Sequence, residues 1–130
     1  MEFSKLLEEL KKLNLSIDKF AIFGSGPLAV RKIREASDID IVVLSDLYNK
    51  FAKDYQINDY NGNITIGNIE ICKSCEPLTE TIEKLIETAD VIDGFPFVSL
   101  EYILQFKKIL NREKDKRDVK LIEDYLSKTC

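Results

Sequence analysis

Apolar residues change their spacing repeatedly along this chain, and each change marks an element. In residues 2–13, Phe3, Leu6, Leu7, Leu10 and Leu13 recur at helical intervals with Lys and Glu between them, which predicts a core-facing helix. Residues 14–19 form a loop. The run Phe20-Ala21-Ile22-Phe23 is apolar throughout and stops abruptly at Gly24-Ser25-Gly26, as a buried strand does before a tight turn. Pro27 suits the first turn of a helix. The spacing predicts that helix over residues 27–36, with Leu28, Val30 and Ile33 inward and Arg31, Lys32 and Arg34 on a solvated face. A second apolar run, Ile41-Val42-Val43-Leu44, is opened by Asp38-Ile39-Asp40.

The remaining pattern is shorter in period. Ser45 is placed to cap a helix over residues 46–51. Residues 55–57 and 64–66 are strand-like and flank Asn61-Gly62, a hairpin signal. A turn at Gly67-Asn68 leads into Ile69-Glu70-Ile71-Cys72, where Glu70 and Cys72 take the face opposite Ile69 and Ile71. A helix is expected over residues 79–89, an extended stretch over 90–93, and a turn over 94–97, where Pro96 keeps Phe95 out of helical backbone. Ser99 precedes a helix carrying Leu100, Ile103, Leu104 and Ile109, and residues 115–127 repeat that pattern with Val119, Ile122 and Leu126. The expected fold is α/β (α+β): a small mixed sheet with helices packed on it and a C-terminal helical pair. Residues 1–130 are expected to form a single domain.

Composition narrows the function. The chain is 45% hydrophobic and 32% charged, a globular balance. Its net charge of −4 argues against extended nucleic acid as a partner. No apolar run is long enough to span a membrane, which argues against a membrane partner. Three cysteines and no secretory leader point to the reducing cytoplasm. With no histidine, histidine-based general-base, triad and zinc chemistry is excluded. Cys72-x-x-Cys75 has no second pair to complete a zinc site, and coincidental spacing is its reading.

The candidate chemistry lies between residues 20 and 44. Gly24 and Gly26 free the backbone for close approach of a ligand, and a helix N-terminus behind them suits phosphate oxygens. Asp38 and Asp40 fall on one face of a strand, with Cα atoms roughly 6.5–7 Å apart. Two carboxylates so placed repel, and a bridging divalent cation relieves them. Gly24-x-Gly26-x-x-Ala29 also fits a dinucleotide-binding fingerprint, with Asp46 about where a ribose-binding acid belongs.

Gly24-Ser25, a helix, and then Asp38-x-Asp40 on a strand resemble the signature of the nucleotidyltransferases of the DNA polymerase β superfamily, and above all its minimal single-domain members. The resemblance implies that Gly24 and Ser25 hold a triphosphate and that Asp38 and Asp40 bind magnesium or manganese. Glu70, in Ile69-Glu70-Ile71, is the candidate third acid, serving metal and catalysis. The Arg-x-Lys-Asp stretch from Arg112 is similar to an element that follows the transferase core in relatives. It makes Lys107, Arg112 and Lys114 candidate triphosphate contacts within an otherwise solvated, sign-alternating surface. The implied activity is transfer of NMP from an NTP to an unidentified acceptor, with release of pyrophosphate. A homodimer or helical partner protein would help complete the site. The alternative is a nucleotide- or partner-binding module without chemistry, such as an antitoxin subunit.

Overall fold

The computed structural model describes residues 2–129. Among them the elements run α1 (Phe3–Lys11), β1 (Phe20–Phe23), α2 (Gly26–Val30), β2 (Ile39–Val43), α3 (Ser45–Asp54), β3 (Ile64–Ile66), β4 (Ile69–Cys72), α4 (Ile82–Glu87), β5 (Asp90–Ile92), β6 (Phe95–Phe97), α5 (Leu100–Leu110) and α6 (Glu113–Thr129). The strands form one six-stranded mixed sheet in the order β3-β4-β2-β1-β6-β5. β1 runs antiparallel to β2 and parallel to β6, and β2 runs parallel to β4. The fold class is therefore mixed α+β, and α5 and α6 are the C-terminal helical pair.

Strand alternation sorts the core into two layers. Phe20, Ile22, Ile39, Ile41, Val43, Ile69 and Ile71 pack with Leu6, Leu7 and Leu10 of α1 and Leu47 of α3 on one face. Ala21, Phe23 and Val42 pack on the other with Leu28 of α2, Leu85 of α4, Leu100 and Ile103 of α5 and Ile122 of α6. The central strands are thus covered on both faces. This explains why they read as continuous apolar runs rather than as alternating ones.

Several boundaries differ from the sequence reading, each for a local reason. The second helix ends at Val30, well before residue 36. Lys32 takes positive φ, the Lys32 N–H donates to Ala29 O, and the Ile33 N–H donates to Leu28 O. These paired bonds form a Schellman stop, sealed by Ile33 and Leu28 in the same apolar cluster. The arm expected over 55–57 is reduced to one bridge, Ile57 to Ile64. Asn58 takes over the turn by accepting the Tyr60 N–H. Residues 94–97 are not a turn. Asp93 and Gly94, both at positive φ, form a two-residue hairpin joining β5 to β6, and Pro96 sits within β6. Thr81 caps α4 by accepting the Lys84 N–H, so that helix starts at Ile82. Ser45 begins α3 rather than capping it.

The antiparallel pairing of β1 with β2 also removes the dinucleotide-binding reading, which needs a parallel strand–helix–strand unit. Asp46, its candidate ribose acid, is instead paired at the surface with Lys19.

Candidate functional site

β2 and β4 begin side by side, and their parallel register pairs Asp40 with Glu70. On the other side of Asp40, β1 ends at its register partner Phe23, and the chain turns through Gly24. Gly24 has φ +64°, and a methyl group on it would stand 2.7 Å from Asp40 Oδ2. Glycine is therefore required there twice, by conformation and by the approach of the carboxylate. A Cβ on Gly26 would meet Ile22 Cγ2 at 2.3 Å, so the loop lies flat on β1.

One carboxylate oxygen of Asp40, one of Glu70 and the Cys72 sulfur lie within 4.8 Å of one another. Burial, then the charges of Asp38 and Glu70, push the Asp40 carboxyl up to about 6, with Lys107 pulling the other way. Burial, then the charges of Asp40, Glu70 and Asp38, also push the Cys72 thiol far up, which keeps it protonated. Asp38 itself is exposed and precedes β2, so it reaches Asp40 through its charge and stands outside the close cluster. Glu70 accepts a hydrogen bond from Asn63 Nδ2 at 3.0 Å. Asn63 in turn accepts the Lys73 N–H, which ties the hairpin loop to the end of β4.

Two hard oxygen donors side by side suit magnesium or manganese, and a protonated thiol does not ligate such an ion. The donor set of Asp40 and Glu70 fits the expected cation. The raised pKa of Asp40 comes first from burial and then from its acidic neighbours, and Lys107 offsets it only in part.

Against Asp40, a cavity of about 370 Å³ is lined by Gly24, Ser25, Arg34, Asp40, Cys72, Lys107, Arg112, Lys114 and Asp118, among others. Its basic wall is less free than the sequence implied. Lys107 is 6% exposed and pairs with Asp118 at 2.9 Å and Asp115 at 3.7 Å. Arg112 Nε donates to Asp115 Oδ2 at 2.5 Å, and that carboxylate also reaches back to the Arg112 N–H at the start of α6. Lys114 is exposed and has no ion-pair partner among the described residues. Asp115 and Asp118 are 0% and 4% exposed, so part of the expected solvated surface is a buried network.

Burial works against the ionised forms of these two aspartates, but their partners outweigh it. Hydrogen bonds from Arg112, with the Lys107 charge, hold Asp115 below its usual value. Hydrogen bonds from Arg34 and Lys107 do the same for Asp118.

Asn63 and Asp118 carried no signal for the site in the sequence, Asp115 stood in the Arg-x-Lys-Asp stretch without a role of its own, and Arg34 was expected on a solvated face. Arg34 reaches it only because the stop at Lys32 redirects the chain after α2. The cysteines separate in role: Cys72 lines the cavity, while Cys75 is buried and its thiol donates to Glu80 O at 3.1 Å. No helix among the described residues is long and apolar enough to cross a membrane. Comparison with protein-family models and with curated proteins gives no match.

Proposed function

We propose that this chain is a cytoplasmic nucleotidyltransferase that moves NMP from an NTP to an acceptor hydroxyl or similar group and releases pyrophosphate. The observation that carries the reading is the register of β1, β2 and β4. It sets Asp40 beside Glu70 and lays the Gly24-Ser25 turn against the Asp40 carboxylate.

In this reading Asp40 and Glu70 hold magnesium or manganese, and Asp38 adds negative charge at the open side. The bound cation supplies charge neutralisation at the transferring phosphoryl group. Gly24 and Ser25 offer the backbone and hydroxyl side of a triphosphate seat. Lys107, Arg112 and Lys114 provide positive potential across the cavity, with Lys114 the one free to contact phosphate directly. Glu70 also takes the acceptor's proton in this reading.

The test is thermal melting with each NTP in the presence of magnesium. A ligand at a hundred times its dissociation constant adds about 2.7 kcal/mol, which raises the melting temperature of a domain this size by about 10 °C. EDTA and Asp40→Asn should both abolish the rise. A rise that survives Asp40→Asn, or no rise with any NTP, removes the assignment. Binding without labelled transfer to any component of a cell extract would instead favour the non-catalytic module.

A further inference from the structure

Ser25 is the N-cap residue of α2, yet its side chain makes no capping hydrogen bond. Its hydroxyl oxygen instead accepts from Arg34 Nη2 at 2.6 Å. The same guanidinium grips Asp118 with both arms, Nε to Oδ1 at 2.7 Å and Nη2 to Oδ2 at 2.9 Å, while Nη1 donates to Glu35 O at 2.7 Å. Four of the five guanidinium N–H groups are therefore committed within the protein. Asp118 is almost fully buried and is held from its other side by Lys107 of α5.

We infer that Arg34 is a positioning residue that orients the Ser25 hydroxyl toward the nucleotide phosphates. The inference rests on the transferase reading. A hydroxyl has one proton to give and two lone pairs. Arg34 occupies one lone pair, so the proton points away from the guanidinium and is available to the cavity that Ser25 lines. The adjacent positive charge makes that O–H a stronger donor to an anionic oxygen. A guanidinium with one N–H left is poorly placed to grip a phosphate itself, so Arg34 acts through Ser25. The chain of contacts Ser25–Arg34–Asp118–Lys107 also ties the glycine turn to the helical pair, so α5 and α6 set the rotamer of a loop residue far from them in sequence.

The experiment is a double-mutant cycle on binding of magnesium with whichever of ATP, GTP, CTP or UTP binds wild type most tightly. Ser25→Ala and Arg34→Gln should each weaken binding by about tenfold, the loss of one charge-assisted hydrogen bond. The double variant should bind no worse than Ser25→Ala alone, because the two residues deliver one contact. Circular dichroism and the apo melt report folding. Arg34→Lys keeps a cation opposite Asp118 but cannot bridge to Ser25, and it completes the same cycle if Arg34→Gln does not fold. Wild-type affinity in the Arg34 variants overturns the inference and leaves the transferase reading standing. Losses that multiply in the double variant overturn it too, because Arg34 would then touch the nucleotide directly. If wild type binds no NTP with magnesium, the transferase reading and this inference fall together.

Discussion

Two groups of acids meet at the cavity, where Asp40 represents one and Asp118 the other, and they are treated in opposite ways. Asp115 and Asp118 are the more deeply buried, yet Arg34, Lys107 and Arg112 hold both below the usual carboxylate range. Asp40 keeps partial contact with solvent, yet its carboxyl is pushed up to about 6, by burial first and then by Asp38 and Glu70. Depth alone does not decide the fate of a buried charge; the partners the fold brings to it do. The first group has its counter-charges built into the chain and holds the helices together. The second has an amide from Asn63 and a Lys107 charge that only partly offsets burial and the neighbouring acids, an arrangement that a cation from outside would resolve.

The largest way to break this contrast is to remove the cation at the centre of the satisfied group. Lys107→Ala leaves Asp118 with Arg34 alone and Asp115 with Arg112 alone, both acids still buried. Removing one partner of a buried pair costs about 3–5 kcal/mol, so the melting temperature should fall by roughly 10–20 °C. A fall of a degree or two would show that water reaches these acids.

The acid pair should respond with the opposite sign. Between 3.8 and about 6 the folded chain holds the Asp40 proton and the unfolded chain does not, so stability drops as pH rises through that window. Asp115 and Asp118 have lowered pKa values, so their contribution is instead lost as pH falls below the ordinary carboxylate range. Asp40→Asn should therefore stabilise the apo protein at pH 8 by about 2 kcal/mol and flatten its profile from pH 4 to 6. Urea melts at pH 4, 6 and 8 check this, and a variant less stable than wild type at pH 8 would contradict it.

The smallest effect sharpens the comparison within the satisfied group. The Arg112 side chain is 52% exposed although it bonds the fully buried Asp115. Arg112→Ala should cost about 1 kcal/mol or less in chemical denaturation and lose part of that in high salt, whereas the Lys107→Ala cost should hold. Equal costs would place both cations in the same dielectric surroundings.

The acids and the glycine turn for which a role was proposed were found through local patterns, Arg34 was not, and local patterns were enough for part of the fold. Continuous apolar runs marked β1 and β2, the glycine turn was visible as Gly24-Ser25-Gly26, and alternation put Glu70 on the face opposite Ile69 and Ile71. Helical spacing marked α1, α5 and most of α6. These features depend on residue type and on neighbours a few positions away. The misjudged elements differ: positive φ at Lys32 is an uncommon choice for a lysine, so the early stop of α2 left no strong mark, whereas Asp93-Gly94 is a local hairpin signal that the turn expected over 94–97 overlooks.

Only the tertiary structure decided which acids would be satisfied. Sheet order put β4 beside β2 and so Glu70 beside Asp40, although thirty positions separate them. Docking of α5 and α6 carried Asp118 to Arg34, a separation of 84 residues. An aspartate in a run of alternating charges looks the same whether it ends in water or in the core. Its environment is set by long-range packing, and the sequence carries that information only jointly, through every element that packs around it.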